Sequence, residues 1–153
     1  MIKDNIQAKG SLKVVLFDEN GIVKDSREIN NLVVTVGRYF IASRMVGTTA
    51  NTPAQMTHMA IGSSATAAAA ADTTLGSELG RVGLTGAAGT VAANSNSAVF
   101  TATFPAGTGT GSVQEAGIFN AASAGVMLAR TTFGLVTKAA GDSLAITWTV
   151  SIV

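Results

Sequence analysis

None of the 153 residues is a cysteine, which excludes disulfides, thiolate metal sites and cysteine nucleophiles. Only one is a histidine, and only 5% are aromatic. Charged residues make up 12% of the chain against about 25% in an ordinary soluble domain. The formal net charge is +1 with both signs interleaved, so there is no basic footprint for nucleic acid or for an anionic membrane. No apolar run approaches the roughly 20 residues of a membrane helix. The opening Met1-Ile2-Lys3-Asp4-Asn5 is too polar for a secretory signal. From Val82 to Val153 the only charged residues are Glu115, Arg130, Lys138 and Asp142. A surface so short of charge fits a subunit that is largely covered in an assembly, because interface cores are depleted in charge.

What the chain does have is alternation. Leu144, Ile146, Trp148, Val150 and Ile152 alternate with small or hydroxylated residues, the period-two pattern of a strand with one buried face. Gly141-Asp142 marks a turn before it. Two further apolar runs, 116–119 and 126–133, joined by 120–125, predict an antiparallel meander with this strand. Residues 98–104 alternate again and stop at Pro105. Near the start, strands over 12–17 and 22–29 are joined by Asp18-Glu19-Asn20-Gly21, where Asn-Gly suits a tight turn. Residues 1–10 are polar and aperiodic and read as an N-terminal arm, leaving 11–153 as a single β-rich domain.

Val36, Tyr39, Phe40, Ile41, Met45 and Val46 fall near helical spacing, which predicts a helix over 36–46 with Thr35 as its cap, Gly47 as its stop, and Arg38 and Arg44 reaching outward. A strand is expected over 56–61 and another from Arg81. Between them, Asp72 starts a short helical turn to Leu79 or else lies in a long surface connection. Seven or eight short strands with one short helix predict a mainly β fold, an antiparallel β-sandwich or small jelly-roll-like barrel.

Each candidate for chemistry has a simpler explanation. His58 lies between Met56 and Met59 with no second histidine to complete a metal set. Gly107-Thr108-Gly109-Thr110-Gly111 echoes a phosphate loop, but a strand follows it where a helix is required, so a flexible hairpin loop is expected. Asp18, Asn20 and Gly21 echo a calcium loop whose next ligand positions fall on Lys24 and Ser26. Asp72 with Glu78, and Glu115 with Asp142, are the possible carboxylate pairs for a glycosidase. A cap accounts for Asp72 and an edge or interface charge for Glu115. Trp148, Tyr39 and Phe133 could form a sugar-stacking platform, but Trp148 falls on the apolar face of its strand. The expectation is therefore no enzyme, no catalytic, metal or cofactor-binding residue, and no cofactor.

The ordered series His58-Met59-Ala60-Ile61-Gly62, then residues 72–81, then Glu115-Ala116-Gly117-Ile118-Phe119-Asn120, then Met127-Leu128-Ala129-Arg130 with Gly141-Asp142-Ser143-Leu144, resembles small structural proteins of tailed bacteriophages. Within that group it is most similar to capsid decoration (cement) proteins of heads of the HK97 type. The E-x-G-I-F and L-A-R elements are also similar to modules of tail-fibre and tail-collar proteins. The resemblance implies a homodimer or homotrimer bound to the major capsid protein on the outer surface of the virion head, made in the bacterial host cytoplasm. A tail, baseplate or tail-fibre subunit is the alternative, and a carbohydrate-binding module a more distant one. The resemblance implies no catalytic residue.

Overall fold

A computed structural model describes residues 5–46, 52–86 and 88–153. The fold is mainly β with one short helix: a single antiparallel sheet of nine strands curled into a half-barrel. In chain order the elements are β1 (Ala8–Phe17), β2 (Val23–Val33), α1 (Thr35–Ser43) with a 3-10 turn (Arg44–Val46), β3 (His58–Gly62), β4 (Glu78–Gly83), β5 (Thr90–Val91), β6 (Ser97–Phe104), β7 (Gly111–Phe119), β8 (Met127–Lys138) and β9 (Ser143–Ile152). Across the sheet the order is β4-β3-β7-β8-β2-β1-β9-β6-β5.

Two half-sheets meet at a narrow seam. Only Leu32 and Val33 of β2 pair with Arg130 and Ala129 of β8. Beyond that point β8 bulges away, and the Arg27 guanidinium takes over, donating to the Gly134 and Leu135 carbonyls at 2.7 and 2.9 Å. At the opposite side of the curl β4 lies against β6, and Thr85 N donates to Thr101 O at 2.8 Å.

The last strand follows its alternation: Leu144, Ile146, Trp148 and Val150 are all buried in the main core with Leu12, Val14, Phe100, Phe104 and Ile118. The expected meander holds only for β7 and β8, which pair. β9 crosses to the other half-sheet, because its two edges are taken by β1 over ten residues and by β6 over eight. Alternation identifies a strand and its buried face, not its neighbours.

Several local expectations are revised. β1 begins at Ala8, four residues before Leu12. Gln7 and Val153 exchange backbone hydrogen bonds at 2.7 and 2.8 Å, so the inner end of the expected arm belongs to the sheet. Residues 1–4 lie outside the described residues, as does Gly47, the expected helix stop. Thr35 does not cap α1. The cap position is Val34, and the Thr35 N–H is satisfied from outside the helix by Ala70 O at 2.8 Å. Tyr39, Met45 and Val46 are exposed, and the helix instead buries Gly37 and Phe40. A Cβ at Gly37 would collide with the Leu128 carbonyl, so the helix rests on β8 by a residue that a count of large apolar side chains overlooks. No helical turn forms over 72–79. That stretch belongs to a long irregular connection, 63–77, and β4 starts three residues before Arg81.

Residues 107–111 do not close a hairpin. They cross from β6 in one half-sheet to β7 in the other. Gly109 is buried at φ +66°, where an added Cβ would meet Ile61, so the glycine here serves a tight packed corner.

Candidate functional site

The 63–77 connection lies over the outer face of β3, β7 and β8, where Leu75 packs with Ala60, Phe119, Met127 and Val34 in a second, smaller apolar cluster. What pins it there is charge. Glu115 on β7 is fully buried, and its carboxylate accepts five hydrogen bonds. Three come from loop backbone N–H groups, Ser64 at 3.2 Å, Gly76 at 2.9 Å and Ser77 at 2.7 Å. Two come from Arg130 of β8, through Nε at 3.0 Å and Nη2 at 2.8 Å. Arg130 also donates to Thr66 O, Ala67 O and Asp72 Oδ2 at 3.0, 3.4 and 2.8 Å. All five guanidinium N–H groups therefore have acceptors. Asp72 in turn accepts from Ala69 N at 2.8 Å. Burial pulls the Arg130 pKa down, but hydrogen bonds and charge from Glu115 and Asp72 outweigh it and hold the group above its ordinary value.

Glu115 is thus no edge or interface charge. A carboxylate can be buried this deeply only when ion pairing and hydrogen bonds replace its water, which this arrangement supplies. Gly117 completes the fit, because a Cβ there would press on Leu75 and on the Phe119 ring at 3.1 and 3.0 Å. Arg81 closes the far end of the loop. It pairs with Glu78 at 2.7 Å, donates to the Ala121 and Ala124 carbonyls at 2.9 and 3.0 Å, and lies 3.8 Å over the Phe119 ring. Asn120 ties the same turn through Val126 N at 2.7 Å.

A second clasp joins three corners at one end of the sheet. Lys138 is buried, and its Nζ donates to Pro105 O and Asp142 O at 2.9 and 2.7 Å, while Lys24 reaches the Asp142 carboxylate at 2.7 Å. Desolvation pushes the Lys138 pKa down. The Asp142 carboxyl is held below its usual range, first by the hydrogen bond from Lys24 and then by that from Ala139 N.

These contacts decide the candidate chemistry. The carboxylates considered as pairs are each committed to a cation: Asp72 and Glu115 to Arg130, Glu78 to Arg81, Asp142 to Lys24. The polar hollow beside Ser64, Thr66, Thr73 and Thr74 has Arg130 as its cation, already saturated. His58 Nδ1 is 2.8 Å from Thr57 Oγ1. Asp18 Oδ1 accepts from Asn20 N and Ile22 N, both at 2.8 Å, so the calcium-like residues build the β1–β2 turn, where Gly21 adopts φ +78°. Trp148 is sealed in the core, Tyr39 is exposed on α1 and Phe133 is half-buried on β8, so no stacking platform forms.

The other half-sheet has a bare outer face. Across β6, β9, β1 and β2 the rows Thr101-Thr147-Lys13-Glu28, Val99-Thr149-Ser11-Asn30 and Thr103-Ala145-Val15-Ser26 stand in register. They are hydroxylated or small, with charge only towards β1 and β2. All four charged residues between Val82 and Val153 are buried, so this part of the chain presents no charged side chain to solvent.

Sequence reasoning missed the role of Arg130. The available signal was the one acid of β7 and, on the neighbouring β8, a base set within the apolar run that starts at Met127, where neither ion is stable without the other. A scan against protein-family models and searches of curated proteins and of solved structures return no match for this chain.

Proposed function

We propose that the protein is a structural subunit of a tailed-bacteriophage virion, a cement protein that binds the outside of the head shell as a small homo-oligomer and stabilises it. The observation that carries this reading is the absence of charge from the surface that residues 82–153 contribute. Every ion of the last 72 residues is turned inward to hold loops and corners, and the outer face of β6 and β9 is left mostly hydroxylated and small. Ordinary soluble domains are about 25% charged, and a broad patch without charge suits contact with another protein.

The motif series supports the same reading. Apart from Gly141–Leu144, which lies at the Lys138–Asp142 corner, the segments His58–Gly62, 72–81, Glu115–Asn120 and Met127–Arg130 are distant in sequence yet meet at the clasped loop. They encode one structural unit, as a shared module would. Many modest contacts repeated over a symmetric lattice, each available only on the assembled shell, would stabilise that shell by mass action.

The test is to prepare heads without the subunit and measure genome release on heating, with and without purified protein added back. Binding to heads with release delayed to higher temperature is expected. A subunit that ignores heads and co-purifies with tails belongs to the tail, and the cement reading is then abandoned.

A further inference from the structure

At the open end of the half-barrel, between α1 and the β5–β6 region, runs an apolar groove of about 320 Å³. Phe40, Ile41, Phe100, Leu128 and Val150 form its floor and walls. It continues past Ala98 and Val91 into a lobe of about 130 Å³ beside Met56. The polar groups along it are engaged internally: Asn96 Nδ2 donates to Ile152 O at 2.7 Å, and Ser97 Oγ meets Ser151 Oγ at 2.6 Å.

Among the described residues one charged side chain lines the groove, and no carboxylate of theirs matches it. Arg27, Arg81 and Arg130 each pair with a carboxylate. Arg44 pairs with none among the described residues. It donates through Nε and Nη2 to Ser43 Oγ, and through Nη2 to Pro53 O, while Nη1 has no acceptor among the described residues. Residues 47–51, which follow it, contain no acid. Its guanidinium lies 4.5 Å over the ring of Phe40, a groove residue, so its charge stands at the mouth of an apolar slot.

We propose that this groove is a binding site for an anionic amphiphile: a carboxylate or similar head paired with Arg44 and a saturated chain laid along Phe40, Phe100 and Val150. At about 30 Å³ per heavy atom, the main groove holds a body of roughly ten atoms. Apolar burial supplies the affinity and Arg44 the preference for an anion. The site is separate from the bare sheet face and does not depend on the cement reading.

The experiment is calorimetric titration of the full chain with decanoate, 1-decanol and decyltrimethylammonium, each below its micelle-forming concentration. Decanoate should bind at one site, roughly three- to fivefold more tightly than decanol, the size of an exposed charge contribution, and the cationic chain should bind most weakly. Arg44→Gln should bring decanoate down to the level of decanol. Ala98→Phe, which fills the groove, should abolish binding of all three, with thermal melts confirming that both variants are folded. Equal affinity for the three chains, or decanoate binding that survives Ala98→Phe, would overturn the proposal. So would self-association that Ala98→Phe abolishes in a protein that binds no decanoate, because the groove would then belong to a second copy.

Discussion

The two halves of the curled sheet share one core but finish their outer faces in opposite ways. On β3, β7 and β8 a long loop is laid over the sheet and locked by a buried carboxylate, a buried guanidinium and a second acid at the loop's edge. On β6, β9, β1 and β2 nothing is laid over the sheet among the described residues, and its outward side chains are mostly threonine, serine, alanine and valine. Charge in the C-terminal part of this chain is an internal fastening. A low content of ions therefore does not mean that those present are dispensable.

The largest effect should come from undoing the fastening. Arg130→Ala leaves Glu115 buried without its cation and is expected to cost about 3–5 kcal/mol in a denaturant titration. It should also open 63–77 to proteolysis. The double variant Glu115→Leu/Arg130→Met removes both charges and should recover part of that loss, although the Ser64, Gly76 and Ser77 N–H groups lose their acceptor. An unchanged midpoint for Arg130→Ala would mean that the loop is held by Leu75 and its apolar neighbours alone, and the contrast between the two faces would lose its electrostatic basis.

A smaller effect belongs to the corner clasp. Hydrogen bonds from Lys24 and from Ala139 N depress the Asp142 pKa in the folded state. A depressed carboxylate contributes stability above its unfolded pKa of about 3.9, and that contribution is lost as pH falls through the folded value. Asp142→Asn should therefore lower the melting temperature at neutral pH and make its fall below about pH 4 shallower than in the wild type. Parallel acid limbs for the two proteins would remove Asp142 from the account.

Much of this architecture was legible in the sequence, and the illegible parts have physical causes. Alternation located β6 and β9, and for β9 its buried face, because a sheet with one buried face writes a period of two into the chain. The neighbours of β9 were not legible, because pairing depends on which edges remain free after the β1–β2 hairpin has formed. The helix was legible, and Phe40 is buried as expected with Val36 and Ile41 partly so, but Tyr39, Met45 and Val46 are exposed, and the closest contact runs through Gly37, which carries no hydrophobic signal. The clasp was hidden for a related reason. Glu115 and Arg130 are fifteen residues apart, and only the pairing of Gly117 with Arg130 across β7 and β8 brings them onto one face. Asp72 read as a helix cap because caps and loop anchors use the same carboxylate.

The smallest change in stability should accompany the sharpest test of function. Thr147 and Thr103 are exposed on the bare face, and Thr147 stands across from Lys13. Thr147→Glu and Thr103→Glu add charge where no packing is disturbed, so each should leave the unfolding free energy within about 0.5 kcal/mol of wild type. If this face meets the shell, docking would desolvate the added carboxylate, which has no charge across from it at Thr103 and faces Lys13 at Thr147. Occupancy on heads should then fall at least about tenfold at fixed subunit concentration for Thr103→Glu, equivalent to about 1.4 kcal/mol, and by less for Thr147→Glu. Thr73→Glu places the same charge on the exposed loop of the other half and should leave occupancy unchanged. Wild-type binding by both sheet variants with loss in Thr73→Glu would reverse the assignment, making the clasped loop the contact surface and the bare face the side turned to solvent.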